Sequence, residues 1–163
     1  MLSVGCIKEN NDHDFRVCLT PETSKKLIKK NINVYVEEDC GIKSGFSNED
    51  YSTVGVEILK TQESLIDKSD ILLSVNPLDI NFNNIPKNAK SKIFIGNFNF
   101  NDSVPDKRFT FLALEKIPRI ARAQSMDILS SQASIAGYQA SLLAANHLNK
   151  YFPMLITAAG TIS

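Results

Sequence analysis

Residues 3–37, SVGCIKENNDHDFRVCLTPETSKKLIKKNINVYVE, carry the reading that decides the fold. Ser3–Ile7 is a short run, apolar on both faces, as a strand buried in a parallel sheet must be. Thr20-Pro21-Glu22 then supplies an N-cap, a first-turn proline and an early acid, so a helix starts there, with Leu27 and Ile28 on its buried stripe. Lys25, Lys26, Lys29 and Lys30 fall on the wet face towards its C-terminal end. They suit the helix dipole there and need no ligand. Asn33–Glu37 is the next strand.

The same alternation continues outward. Val56–Leu59, Ile71–Val75, Lys92–Gly96 and Phe109–Leu114 read as further strands. Ser47-Asn48-Glu49-Asp50 looks like a second helix cap, with Phe46 placed to staple onto Tyr51 or Val54. Thr61 or Ser64 starts a third, short helix. Strand–helix alternation predicts an α/β fold: an open, mostly parallel sheet with helices on both faces and right-handed crossovers. Asparagine is frequent from residue 76 to 101 (Asn76, Asn81, Asn83, Asn84, Asn88, Asn97, Asn99 and Asn101). Lys and Ile are frequent too, so biased base composition explains the run better than function does.

The pattern changes after Lys116. Met126–Leu148 reads as one helix of about 23 residues. Ala133, Ala136, Gly137, Ala140 and Ala144 put small side chains along one side of it, for tight packing on the chain's own sheet or for bridging to a second domain or subunit. The expected organisation is an α/β domain over 1–124, then 125–163 as a long interdomain helix and the start of a second domain. Phe152-Pro153-Met154-Leu155-Ile156 begins a new element and the chain stops at Ser163, which reads as a cut.

Composition bounds the function. The chain has 163 residues, 43% apolar and 22% charged, with 18 Lys+Arg against 18 Asp+Glu. Zero net charge gives no field for nucleic acid. Apolar runs fall short of the ~20 residues a bilayer span needs, so no transmembrane segment is expected. MLSVGCIKEN puts polar residues where a signal peptide is apolar. The expected setting is soluble and cytoplasmic. Cys6, Cys18 and Cys40 are widely spaced, odd in number and lack a Cys-x-x-Cys, so they read as three small buried hydrophobes, with neither a disulfide framework nor a metal site.

Glycine-rich phosphate loops and nucleophile elbows are absent. His13 sits in a polar loop and His147 ends the long helix, so both read as solvated. Two polar constellations remain. In Asp14-Phe15-Arg16-Val17-Cys18-Leu19-Thr20-Pro21, Arg16 is placed to reach over the carboxyl edge of the sheet. Spacing alone favours a surface arginine bonded to Asp14. The richer constellation is Ile117-Pro118-Arg119-Ile120-Ala121-Arg122-Ala123-Gln124-Ser125-Met126-Asp127-Ile128-Leu129-Ser130-Ser131-Gln132. Asp127 and Ser130 share a helix face, and Arg119 is placed to pair with Asp127. Such amide and hydroxyl groups suit a neutral planar carboxamide. N-capping, with Ser125 as cap, accounts for one or two of them and leaves Arg119 and Gln124 unexplained.

These residues resemble the N-terminal region of the alpha subunits of proton-translocating NAD(P) transhydrogenases, a family that takes in alanine dehydrogenases. The matching segments are Arg16-Val17 with Leu19-Thr20-Pro21-Glu22-Thr23, Gly45-Phe46-Ser47 with Glu49-Asp50-Tyr51, Pro118-Arg119-Ile120 with Arg122–Asp127, Leu129–Gln132, Ile135–Tyr138 and Thr157–Thr161. They span nearly the whole chain in family order, and Arg119–Gly137 is the most specific. The resemblance implies a Rossmann/flavodoxin-like first domain and a long helix crossing to an NAD(H) domain. It implies a homodimer, and hydride transfer between NAD(H) here and NADP(H) on a partner beta subunit, coupled to proton translocation. Peripheral attachment at the inner face of the inner membrane through partner subunits follows. It also implies Arg119, Gln124, Asp127 and Ser130 as cofactor-binding residues, with Gln124 and Asp127 catalytic, and no metal.

Alanine dehydrogenases carry a lysine in the segment matching Leu72–Pro77 and a histidine in that matching Phe94–Phe98. Here both are missing. Hydride transfer between two nicotinamides moves no proton at the reacting carbons, so positioning suffices. Ser74 stands where transhydrogenases usually carry a lysine. The family continues beyond Ala-Ala-Gly-Thr into its pyrophosphate turn, so the isolated chain is expected to bind NADH weakly or not at all and to be inactive. The rival readings are a non-catalytic dimerisation or docking domain and an alanine dehydrogenase N-terminal domain.

Overall fold

The computed structural model describes residues 1–77, 80, 82, 85, 86, 90–99, 106–150, 152 and 154–162. Asn81, Asn83, Asn84, Asn88, Asn101, Pro153 and Ser163 lie outside the described residues. The chain divides into two units, Met1–Lys116 and Ile117–Ser163. The division falls where the sequence pattern changes, ahead of the boundary expected at residue 124.

The first unit is a doubly wound sheet. Its strands are β1 (Ser3–Cys6), β2 (Asn33–Glu37), β3 (Glu57–Leu59), β4 (Ile71–Leu73), β5 (Ile93–Gly96) and β6 (Thr110–Ala113). They lie in the order β3-β2-β1-β4-β5-β6, and every neighbouring pair is parallel. All six expected strands are present, and five are a residue or two shorter than expected. β4 shows why. After Leu73 the Val75 and Asn76 N–H groups turn to the Glu9 carboxylate, so the strand ends early.

Helix starts fall where the caps place them. Thr20 caps α1 (Pro21–Ile28), exchanging hydrogen bonds with Thr23. Ser47 caps α2 (Asn48–Thr53) and exchanges with Asp50 in the same way. Of the two candidates for the third helix, Thr61 is the cap of α3 (Gln62–Lys68). Phe46 meets Tyr51 edge-on at 6.4 Å between ring centroids, the expected staple.

Helices cover both faces of the sheet. Leu19, Leu27, Ile28, Tyr51 and Val54 pack with Val4, Val34 and Val36 on one face. Leu65 and Ile66 of α3 pack with Ile7, Leu59, Leu72 and Phe94 on the other. Leu72 joins the second cluster and its neighbours Ile71 and Leu73 the first, the alternation of a strand buried on both sides. Tyr51 is fully buried, and its hydroxyl donates to the Leu19 carbonyl at 2.7 Å. Buried Lys92 donates to the Asp67 and Ser69 carbonyls at the end of α3, and burial lowers its pKa.

In the second unit a 3-10 turn, Ala121–Met126, leads into α4 (Ile128–His147). Because that turn occupies Ser125, the cap is Asp127 and not the expected Ser125; its carboxylate accepts the Leu129 N–H. The helix therefore runs over 20 residues, starting later than expected. The new element after Phe152 is a hairpin of β7 (Leu155–Thr157) and β8 (Gly160–Ile162), and Gly160 has a φ of +120°, open to glycine.

Carboxyl-end packing around Gly96 is close. A Cβ there would lie 2.6 Å from both the carbonyl oxygen and Oγ of Ser74. Gly96→Ala is expected to destabilise the first unit by about 1–3 kcal/mol, as overpacking does. Urea unfolding measures it, and an unchanged midpoint would refute the close approach.

Candidate functional site

The second unit holds a cleft of about 600 Å³, lined by Arg119, Ile120, Ala121, Gln124, Asp127, Leu129, Ser130 and Ala133. All four expected site residues border it. The 3-10 turn places Gln124, the helix start places Asp127, and Ser130 lies one turn on. The Ser130 hydroxyl donates to the Asp127 carboxylate at 2.7 Å, and the Leu129 N–H donates to its other oxygen at 2.9 Å. These bonds, the Ser130 hydroxyl first, hold the Asp127 pKa below the ordinary carboxylate value, and the Arg119 field adds a little. Asp127 is thus ionised at neutral pH. The expected direct pairing of Arg119 with Asp127 is not what the carboxylate uses; its oxygens go to the helix start.

Among the described residues, the Arg119 guanidinium and Gln124 amide make no hydrogen bond. Neither is committed by a hydrogen bond to another described residue. Ile120, Leu129 and Ala133 give the cleft an apolar side. Sequence reading assigns none of these three to the site, since apolar residues beside a polar cluster carry no local signal of ligand binding.

The first unit has its own polar cluster where the strand order reverses between β1 and β4, at their carboxyl ends, the place where ligands bind in open α/β sheets. Here the chain fills it. Arg16 binds Asp14 through Nε and Nη2, the latter at 2.6 Å. Asn76 donates from Nδ2 to both Asp14 and Glu9, at 3.1 Å each. The Arg16 guanidinium, above all, holds the Asp14 carboxyl well below its usual range. Arg16 is therefore the self-bonded arginine that its spacing favours. The Glu9–Asn76 link escapes sequence reading, because partners 67 residues apart leave no trace in local spacing.

Ser74 is buried, and its Oγ has no partner among the described residues. It stands in the core beside Gly96, and no lysine or histidine lies in either segment read for dehydrogenase chemistry. His13 is exposed in its loop and His147 closes α4. Among the described residues, no group of His, Cys, Asp and Glu is arranged to hold a metal ion.

The family model described as alanine dehydrogenase/PNT, N-terminal domain, matches residues 5–136. The first part of the NAD(P) transhydrogenase subunit alpha of Rickettsia prowazekii (strain Madrid E) is 37% identical over 170 residues, covering 99% of this chain and 44% of the relative. A solved transhydrogenase from Sinorhizobium meliloti is 31% identical with a TM-score of 0.75, over 98% of this chain and 49% of that one. An L-alanine dehydrogenase structure aligns with a TM-score of 0.71 at 18% identity, over 97% of this chain and 45% of that one, which shows the shared fold. The chain thus spans less than half the length of each.

Two outcomes follow from the site geometry. Asp127→Ala is expected to fray the first turn of α4 and Asp127→Asn to keep it, since asparagine caps as well as aspartate. Far-ultraviolet circular dichroism separates them, and equal helix loss in both would mean that charge, not capping, starts the helix. At the sheet edge, the depressed Asp14 pKa stabilises the fold above the unfolded value of about 4, and that contribution is lost as pH falls through the folded value. Asp14→Asn should be less stable than the parent at about pH 7, with the gap closing below about pH 4. A gap unchanged by acid would show that the Arg16 pairing contributes nothing.

Proposed function

The chain belongs to the alanine dehydrogenase/PNT N-terminal domain family, and from that premise we propose that it forms the nicotinamide-facing wall of the hydride-transfer site in an NAD(P) transhydrogenase alpha subunit. The observation that carries the reading is the convergence of Arg119, Gln124, Asp127 and Ser130 on one cleft, with the first two making no hydrogen bond among the described residues.

The cleft fits a nicotinamide ring. Its volume lies within the roughly 300–1,000 Å³ of small-molecule sites, and it combines an apolar side with a few polar groups. Gln124 offers a donor and an acceptor to a carboxamide, and Ser130 a hydroxyl beside them. Arg119 adds a fixed positive charge. Asp127, ionised and held by Ser130 and Leu129, keeps one orientation. Ile120, Leu129 and Ala133 offer apolar surface to a ring face. A bound nicotinamide would supply the carbon that gives or takes hydride. No proton need move at that carbon, and no histidine or lysine is among the described residues that line the cleft.

In this reading the alpha subunit binds NAD(H), a partner beta subunit binds NADP(H), and hydride transfer is coupled to proton translocation by membrane segments elsewhere. Among the described residues no helix is long and apolar enough to cross a membrane, so attachment at the membrane's inner face would come through partners. The α4 surface supports a homodimer or a bridge to a second domain. Ile135, Tyr138, Leu142 and Leu143 are exposed along it, with Ala133, Ala136, Gly137, Ala140 and Ala144. That exposure also favours the second reading, a docking domain without catalysis. An alanine dehydrogenase role is only a distant alternative, and the absent lysine and histidine disfavour it.

The test uses the complete alpha subunit with its beta subunit. Arg119→Ala and Gln124→Ala should each lower the hydride-transfer rate, by up to about a hundredfold if positioning is their contribution, with circular dichroism unchanged. Parental rates in both variants would leave the docking reading standing.

A further inference from the structure

The six strands of the first unit are all parallel, so they begin at one end of the sheet. Helices that cross back between them end there too. That amino end collects lysines from segments remote in sequence. Lys25, Lys26, Lys29 and Lys30 close α1 and lead to β2, and Lys68 closes α3 ahead of β4. Lys90 precedes β5 and Lys107 precedes β6. All seven are exposed. The acids of this end are mostly engaged. Glu57 pairs with Lys68, Asp70 accepts from the Ser3 N–H and hydroxyl, and Asp106 binds Arg108; Asp67 is exposed. Lys26 pairs with Glu22. Among the described residues, Lys25, Lys29, Lys30, Lys90 and Lys107 form no ion pair. The carboxyl end has the opposite sign. Glu37 ends β2, and Glu22, Glu49, Asp50 and Glu63 sit in the first turns of α1, α2 and α3. Zero net charge over the chain thus hides a first unit with one basic end and one acidic end.

We propose that this amino end is a docking face for an anionic phospholipid bilayer.

Helix dipoles account for the lysines that close α1 and α3. They do not account for Lys90 and Lys107, which precede strands. With neighbouring strands about 4.8 Å apart, the lysines leading into β2, β4, β5 and β6 spread over about 19 Å. Such a spread matches an extended charged surface and exceeds any single small anion. Lysine is a flexible point charge, suited to a fluid array of headgroups, whereas the phosphates of nucleic acid are held best by the planar fork of arginine. The arginine of this end, Arg108, is spent on Asp106 and on the Phe82, Ile85 and Pro86 carbonyls. Leu2 adds an apolar contact. Its carbonyl accepts the Asn33 N–H just beyond α1, and the residue is 47% exposed. A basic cluster with an exposed apolar side chain supplies the two signals of a peripheral bilayer contact. Docked in this way, the acidic carboxyl end faces away from the lipid. The hydride-transfer cleft shares none of these residues, since it lies in the second unit.

The experiment sediments the protein with vesicles of equal parts phosphatidylglycerol and phosphatidylcholine, and with vesicles of phosphatidylcholine alone. The protein should pellet with the first and stay in solution with the second. Added salt should release it, since exposed charges are screened beyond about 8 Å at physiological ionic strength. Lys29→Glu with Lys30→Glu, and Lys90→Glu with Lys107→Glu, should each weaken partitioning by more than about tenfold. Lys60→Glu with Lys116→Glu makes the same change in net charge at the carboxyl ends of β3 and β6, where both are exposed. That variant should partition like the parent. Circular dichroism should match the parent in all three, because every substituted lysine is exposed. Equal pelleting with both kinds of vesicle would overturn the proposal, as would no pelleting with the anionic ones or an equal loss in the carboxyl-end variant. Binding of polyuridylate or polyglutamate without binding of vesicles would also overturn it, with nucleic acid or an acidic protein as the partner instead.

Discussion

β1 has a parallel partner on each edge, β2 along Ser3–Cys6 and β4 along Val4–Cys6. Most of the first unit depends on that arrangement. Parallel strands cannot be joined by a tight turn, so each connection must cross a face of the sheet. α1 and α2 therefore cover one face and α3 the other. The strand order also reverses at β1, because the chain leaves it first towards β2 and later returns to its opposite edge as β4. A crevice at the carboxyl ends is the geometric result. Its polar N–H groups need acceptors, and the Glu9 and Asp14 carboxylates on the loop leaving β1 supply them. The loop from Lys8 to Leu19 is thus held by the crevice it fills.

The two arginine sites differ in what they leave unspent. Arg16 has a carboxylate two residues away that meets it through two nitrogens, and Asn76, just beyond β4, fixes that carboxylate. Arg119 has no acid so close in sequence, and the acid that shares its cleft, Asp127, is committed to starting α4. A self-neutralised arginine contributes to structure; an open one beside an open amide can act on a ligand. The contrast is physical and does not depend on kinship with any other protein.

Local chemistry is legible in the sequence, and non-local chemistry is not. Thr20, Ser47 and Thr61 announce helix starts because a cap needs only partners three residues away. The six strands are legible because burial on both faces demands apolar runs. Arg119, Gln124, Asp127 and Ser130 can be grouped because a turn and the helix start after it bring neighbours together. Strand order and the Glu9–Asn76 link depend on how β1, β2 and β4 align. No spacing within one segment encodes that. Ser125 looks like the cap for a subtler reason: 3-10 turns often sit at α-helix ends, and here one occupies Ala121–Met126, so the start of α4 shifts to Ile128.

α4 joins capping, burial and the cleft in one element. From Ile128 to Asn146 it carries no charged residue, and its apolar side chains point all round it. A helix of that kind is stable when covered, yet none of its residues is buried here. Asp127 fixes where the helix begins and also borders the cleft. A neighbour packing on α4 would therefore bear directly on the carboxylate at its start. In this way one capping residue links whatever covers the helix to the geometry of the cleft. If the cleft positions a ligand as proposed, its geometry would be sensitive to such a link.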